Sequence, residues 1–225
     1  MLFLAYVRVI NSPLTILYRN MGNKTSKKAV DIVPDTATAD LMQLKFMDAC
    51  QTGKLELVAR LLDRGTIDVN LTTSPVGATA FFYACQNGHD KVVALLLDRA
   101  RDAIDINQTV QGPAKGATPL IIGCSNGHSK VVALLLETAR DTINVNQTTI
   151  EGATPILMAA HQGDKRIVTQ LLAHPGIDVN LEYVASDGRK YTPLQIAEYH
   201  GYTQIANLIQ KHTNACKEVV VEVGL

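Results

Sequence analysis

Ala84-Cys85-Gln86-Asn87-Gly88-His89-Asp90-Lys91-Val92-Val93-Ala94-Leu95-Leu96-Leu97 is followed 39 residues later by Gly123-Cys124-Ser125-Asn126-Gly127-His128-Ser129-Lys130-Val131-Val132-Ala133-Leu134-Leu135-Leu136. The segment Val-Val-Ala-Leu-Leu-Leu is identical in the two. Self-similarity over this length is the mark of a repeated structural unit. Working outward, Gly53, Gly88, Gly127, Gly163 and Gly201 follow one another at 35, 39, 36 and 38 residues. Ala78-Thr79-Ala80 is matched by Ala117-Thr118-Pro119, Ala153-Thr154-Pro155 and Tyr191-Thr192-Pro193. Asp68-Val69-Asn70, Asp105-Ile106-Asn107, Asn144-Val145-Asn146 and Asp178-Val179-Asn180 close the units.

Each unit has a physical reading. Thr followed by Pro predicts a helix start, because Pro lacks an N–H where none is needed. About two turns of small and apolar residues follow. Gly then ends the first helix, since it accepts a left-handed backbone. Asp90, Ser129 and Thr203 stand where they can cap a second helix, which carries the Val-Val-x-Leu-Leu stripe. The Asp-Val-Asn end and the Gly-containing stretch after it suit a turn or hairpin. The unit is therefore hairpin, helix, turn, helix.

This pattern resembles the ankyrin repeat, with its Thr-Pro-Leu start, its Gly-His middle, and its Val-Val-x-Leu-Leu-Leu end closing in Asp-Val-Asn. The resemblance covers five units from about Asp40 to His212, and implies an all-α repeat solenoid of five ankyrin repeats joined by hairpin-like loops. Residues 1–39 then form an N-terminal extension and disordered linker, 40–212 the repeat domain, and 213–225 a C-terminal tail. Several positions depart from the family. Its usual His after Thr-Pro-Leu is replaced by Phe82, Ile121, Leu157 and Gln195, so packing must take over from polar bracing there. The loops Gln108–Ala117 and Leu181–Tyr191 are long, as are Asp98–Ile104 and Glu137–Ile143. Leu44-Lys45 stands in unit one where other units have Thr-Pro, and Gln210 replaces the last Leu of unit five. Terminal repeats have one face in water, so these changes predict an array complete at five.

Composition narrows the function. Twenty-one basic residues balance twenty-one acidic ones, which gives no electrostatic footprint for nucleic acid. The 47% apolar fraction is enough for a packed core. Cys50, Cys85 and Cys124 are repeat equivalents and read as one small buried position; with Cys216 they form no Cys-x-x-Cys pair. His89 and His128 belong to the Gly-His turn and are structural in the family. Neither His161 nor His200 is read as having a Cys or carboxylate at metal spacing. No Gly-x-Ser-x-Gly, phosphate-binding loop or His-Glu-x-x-His is present. The reading is a monomeric cytoplasmic protein without metal, cofactor or catalytic site, whose partner is another protein. An enzyme with an unrecognised site is the distant alternative.

The resemblance implies that the partner docks on the concave side, at the residues before each glycine and at the hairpin tips. Residue by residue these include Gln86, Asn87, Ser125, Asn126, His161, Gln162, Tyr199 and His200, with Lys115, Glu151, Arg189 and Tyr191 at the tips. The last two units stand out because Arg189, Tyr191, Tyr199 and His200 cluster there, and Tyr and Arg are enriched at binding hot spots. Two further signals lie outside the repeats. Met21-Gly22-Asn23-Lys24-Thr25-Ser26-Lys27-Lys28 fits a myristoylation pattern, so a chain beginning at Met21 would carry a lipid on Gly22 and lysines (Lys24, Lys27, Lys28) for an anionic membrane surface. The valine-rich segment Cys216–Leu225 is expected to be a strand or extended tail.

Overall fold

The computed structural model describes residues 35–72 and 75–223. Among them ten α-helices follow in antiparallel pairs. These are α1 (Asp35–Thr52) with α2 (Leu55–Leu62), α3 (Ala80–Gln86) with α4 (Asp90–Arg99), α5 (Pro119–Ser125) with α6 (Ser129–Thr138), α7 (Pro155–Gln162) with α8 (Lys165–Leu172), and α9 (Pro193–Tyr199) with α10 (Thr203–Val223). The first helices pack on one another in sequence order, α1 on α3, α3 on α5, α5 on α7 and α7 on α9; the second helices form a parallel row of their own. The chain is an all-α repeat solenoid. The only sheet among the described residues is a hairpin, β1 (Tyr183–Val184) with β2 (Lys190–Tyr191), paired Tyr183 to Tyr191 and Val184 to Lys190.

The helix starts follow from the threonines. Thr79, Thr118, Thr154 and Thr192 hold extended backbone, and each hydroxyl accepts the backbone N–H three residues on, satisfying one of the free donors of the first turn. Phe82, Ile121 and Leu157 are buried, so packing does replace a polar brace at those positions. Gln195 keeps one: its side chain accepts the Thr192 N–H and completes a capping box. Glycines at φ between +71° and +74° end the first helices. The second-helix caps differ from expectation. Asp90, Ser129 and Thr203 are the first residues inside their helices, one position too late to cap; His89 and His128 occupy the cap sites without a side-chain bond. The cap that does form is Asp164, which accepts from Ile167 N at 3.0 Å.

The core is the stacked interface between units. Leu96 and Leu135 occupy equivalent, fully buried sites, as the identical hexapeptides require. Cys50, Cys85 and Cys124 are buried between apolar neighbours, and burial pushes all three thiols up. The longer loops are partly core: Val110 and Ala114 before α5, and Ala139 and Ile143 after α6, are buried.

Two ladders run along the array. In the first, the Asp or Asn of each closing triplet accepts the N–H of the Asn two residues on. That Asn then reaches into the following unit. Asn70 donates to Ala103 O and accepts from Asp105 N, Asn107 bridges Thr142 O and Asn144 N, and Asn146 bridges Gly176 O and Asp178 N. Gln43 on α1 starts the series by bonding both the O and the N of Asp68. In the second ladder the hairpin tips join through single backbone bonds, Gln111 N to Val76 O, Ile150 N to Lys115 O and Val184 N to Glu151 O. A Cβ on Gly152 would lie 2.5 Å from Glu182 O, so the close approach of neighbouring tips requires glycine there. Lys190 holds the matching position in the final hairpin and pairs with Glu182 at 3.1 Å.

The C-terminal segment corrects the sequence expectation. The residues from Cys216 to Val223, read as a strand, continue α10. No Gly or Pro interrupts the chain between Tyr202 and Val223, and an established helix extends by one bond per residue fixed. At the other end, α1 begins at Asp35, inside the stretch expected to be linker.

Candidate functional site

The turn that joins the two helices of a pair recurs along the array, and its residues divide into two kinds. A helix C-terminus leaves carbonyls without intrahelical partners. In the first turn Gln51 O accepts Asn87 Nδ2 at 2.8 Å and lies 2.9 Å from His89 Nε2, both from the next pair. In the second, Gln86 O accepts Asn126 Nδ2 at 2.7 Å and lies 2.9 Å from His128 Nε2. Each imidazole spans the turn behind it. A Cβ on Gly88 would meet His128 Nδ1 at 2.6 Å, so glycine there admits the ring as well as the positive φ.

From the third turn on, the same columns change. Asp164 replaces the histidine and turns its carboxylate to its own helix, α8. Tyr202 follows in that column, with its ring across Gly163, where a Cβ would lie 2.7 Å from the Tyr202 Cζ. The asparagine column becomes Gln162 and then His200. The ring centroids of His161 and His200 are 4.6 Å apart, those of Tyr199 and His200 5.2 Å, and those of His200 and Tyr202 5.8 Å with the rings nearly parallel. Arg189 Nε lies 3.5 Å from Asp187 Oδ2. The Tyr191 side chain beside it, with Asp187 and Tyr199 nearby, holds its guanidinium above the usual arginine range. Partial burial and the neighbouring His200 hold His161 below the usual imidazole range. Tyr199 is 77% exposed. These side chains form one surface of phenols, imidazoles and a guanidinium at the C-terminal end of the first-helix row.

The expected site residues fall into three groups. Gln86 and Ser125 were expected at the surface, and this is corrected: both are only 4% exposed, packed between consecutive first helices. Asn87 and Asn126 are half-buried and committed to the preceding turn. Lys115 is exposed and Glu151 half-buried at the hairpin tips, where their carbonyls hold the next hairpin. His161, Gln162, Arg189, Tyr191, Tyr199 and His200 remain toward the C-terminal end, and all of them except Gln162 join the cluster. Tyr202 was missed; its signal was the column that puts His89 and His128 one residue after the glycine. Gln86 Oε1, Ser125 Oγ and His161 Nδ1, which share one position in successive units, are buried without a hydrogen-bond partner. Gly22, Lys24, Lys27 and Lys28 lie outside the described residues.

Among the described residues, no group of three or more His, Cys, Asp or Glu side chains is arranged to hold a metal ion. No helix among them is long and apolar enough to cross a membrane. A family model described as ankyrin repeats in three copies matches residues 46–149 and 139–219. No curated protein matches the chain.

Proposed function

The chain belongs to the ankyrin-repeat family, and from that premise we propose that it is an adaptor, scaffold or inhibitor whose protein partner docks on the concave side, at its C-terminal end. Ankyrin repeats are generally protein-protein interaction modules. The observation that carries the location is the Tyr199 ring, exposed beside His200 with Arg189 and Tyr191 near it. An exposed aromatic ring with few rotatable bonds loses little entropy on docking, and Tyr and Arg dominate measured hot spots. The earlier turns offer less, because their polar groups are already bonded to the next unit. Affinity capture with the full chain and with a triple Arg189→Ala, Tyr191→Ala, Tyr199→Ala variant tests the reading. The variant keeps its helical signal and loses the captured protein; equal capture by both would move the site away from this face.

A second reading adds a tether. The sequence Met21-Gly22-Asn23-Lys24-Thr25-Ser26 meets the acylation pattern when Met21 starts the chain, and Lys24, Lys27 and Lys28 supply the second signal that a single acyl chain needs. Intact mass and cell fractionation of a chain starting at Met21, against its Gly22→Ala variant, decide it: an added myristoyl group and membrane association in the first alone are expected, and identical behaviour removes the tether.

A further inference from the structure

We propose that the cluster at the C-terminal end recognises an acidic, carboxylate-bearing segment of the partner and takes up a proton at the His161–His200 pair as it does so. The inference rests on the reading of this face as the docking site and names the chemistry it selects.

The cluster is rich in donors. Tyr191, Tyr199 and Tyr202 carry hydroxyls, Arg189 a guanidinium, and His161 and His200 imidazoles. Arginine has no acceptor, and a protonated imidazole donates from both nitrogens. His161 Nδ1 is buried and has no partner, which leaves one nitrogen unsatisfied in the free protein. The two imidazoles are 4.6 Å apart, so two positive rings repel and one charge at most is favoured.

The surroundings do not relieve this. Asp187 faces Arg189. Asp164 caps α8, and Lys165 donates to Gln204 Oε1 at 3.1 Å. Lys190 pairs with Glu182. Further titratable groups on the packed elements are Arg166 on α8, Glu198 on α9, Lys211 and His212 on α10, and Glu151 and Tyr183 in the hairpins; Arg166 and Glu198 are exposed. A carboxylate brought by the partner supplies the missing counter-charge. It accepts charge-assisted hydrogen bonds from the exposed His200 ring and from Arg189, which are shorter and stronger than neutral ones, and acts on the half-buried His161 through its charge.

Thermodynamic linkage then fixes the sign. Burial and His200 hold His161 low in the free protein, whereas a bound carboxylate raises the affinity of the pair for a proton. The complex therefore holds more protons than its free components. Affinity rises as pH falls through the imidazole range and is flat above it, and one proton taken up sets a ceiling of about tenfold per pH unit. A basic segment would show the opposite preference, through the faces of the tyrosine rings.

The test uses the full chain with rhodamine-labelled hexaglutamate and hexalysine peptides, read by fluorescence anisotropy at low salt at pH 6.0 and pH 7.5. Hexaglutamate is expected to bind, several-fold more tightly at the lower pH. His200→Gln is expected to flatten that pH dependence while the thermal melt is unchanged, and Arg189→Gln to weaken binding by the same factor at both pH values. Preference for hexalysine, absence of hexaglutamate binding, or an equal pH slope in His200→Gln overturns the proposal. The parent reading fails separately. If the Arg189, Tyr191, Tyr199 triple variant loses the captured protein but capture by the native chain ignores pH, the docking face stands and the acidic segment does not. If the triple variant captures as the native chain does, the docking face itself is wrong.

Discussion

The turns of the first helix pairs and those of the last two are built on the same frame and spend it differently. At Gln51 and Gln86 the carbonyl ending the first helix receives an asparagine and a histidine from the next pair. At Ser125 the histidine has become Asp164, which serves its own helix. At His161 the incoming residues are His200, whose ring meets the His161 ring, and Tyr202, which stacks on His200 across Gly163. A side chain has a limited number of hydrogen bonds to give. Where they hold a neighbouring repeat they are withdrawn from recognition; where the column changes residue type they are released to the surface. If the docking face is the one proposed, the comparison separates stability from binding along one molecule.

It can be broken most severely in the core that both regions share. Leu96→Ala and Leu135→Ala are each expected to cost about 2–5 kcal/mol of unfolding free energy, read from denaturant melts, because each removes a fully buried side chain at an inter-unit contact. A loss below about 0.5 kcal/mol at both would mean that the two units are not equivalent.

The sharpest test exchanges the columns. His128→Ala leaves Gln86 O with one fewer donor and opens a gap over Gly88, and is expected to cost about 1–3 kcal/mol. His200→Ala, in the column of Asn126, removes exposed ring contacts alone and should change stability by less than about 0.5 kcal/mol. Equal costs in thermal melts would erase the distinction between the regions.

Binding should invert that order. Tyr199→Ala is expected to weaken the captured partner by about 1–2 kcal/mol with an unchanged melt, measured by titration calorimetry, whereas Asn87→Ala should act on the melt and spare affinity. The smallest effect belongs to the last hairpin. Lys190 and Glu182 are both more than half or about half exposed, and Lys190→Ala should shift stability by no more than about 1 kcal/mol, a difference that shrinks with added salt.

Much of this architecture is written in local chemistry. Thr before Pro, Gly at the helix end and Val-Val-x-Leu-Leu act within one unit, and each appears where the pattern puts it. Features that depend on a neighbouring unit were harder to read. Gln86 and Ser125 look like surface residues in their own helix, yet the adjacent first helices cover them. Asp90 and Ser129 look like caps, but the helix begins on them because His89 and His128 hold the preceding backbone while their rings reach the unit behind. Val219-Val220-Val221 favours a strand in isolation, and a helix already nucleated at Thr203 overrides that preference. The candidate site was legible as Tyr and Arg near the end of the array. The ring geometry that joins them to His161 and Tyr202 was not, since it arises between units.

The asparagine ladder carries a consequence for how the array opens. Asn70, Asn107 and Asn146 each protect an amide hydrogen of the unit that follows them, at Asp105, Asn144 and Asp178. Asn180 turns its side chain back to Asp178 and reaches no amide of a later unit among these bonds. Protection is therefore handed forward, in the direction of the chain. Breathing of a unit exposes an amide of its successor, while breathing of the final unit exposes none of its predecessor by this route. Solvent deuterium should enter the Asp178 amide whenever the third unit opens, even while its own helices stay folded, so that exchange at these three amides reports the local unfolding of the unit before each of them.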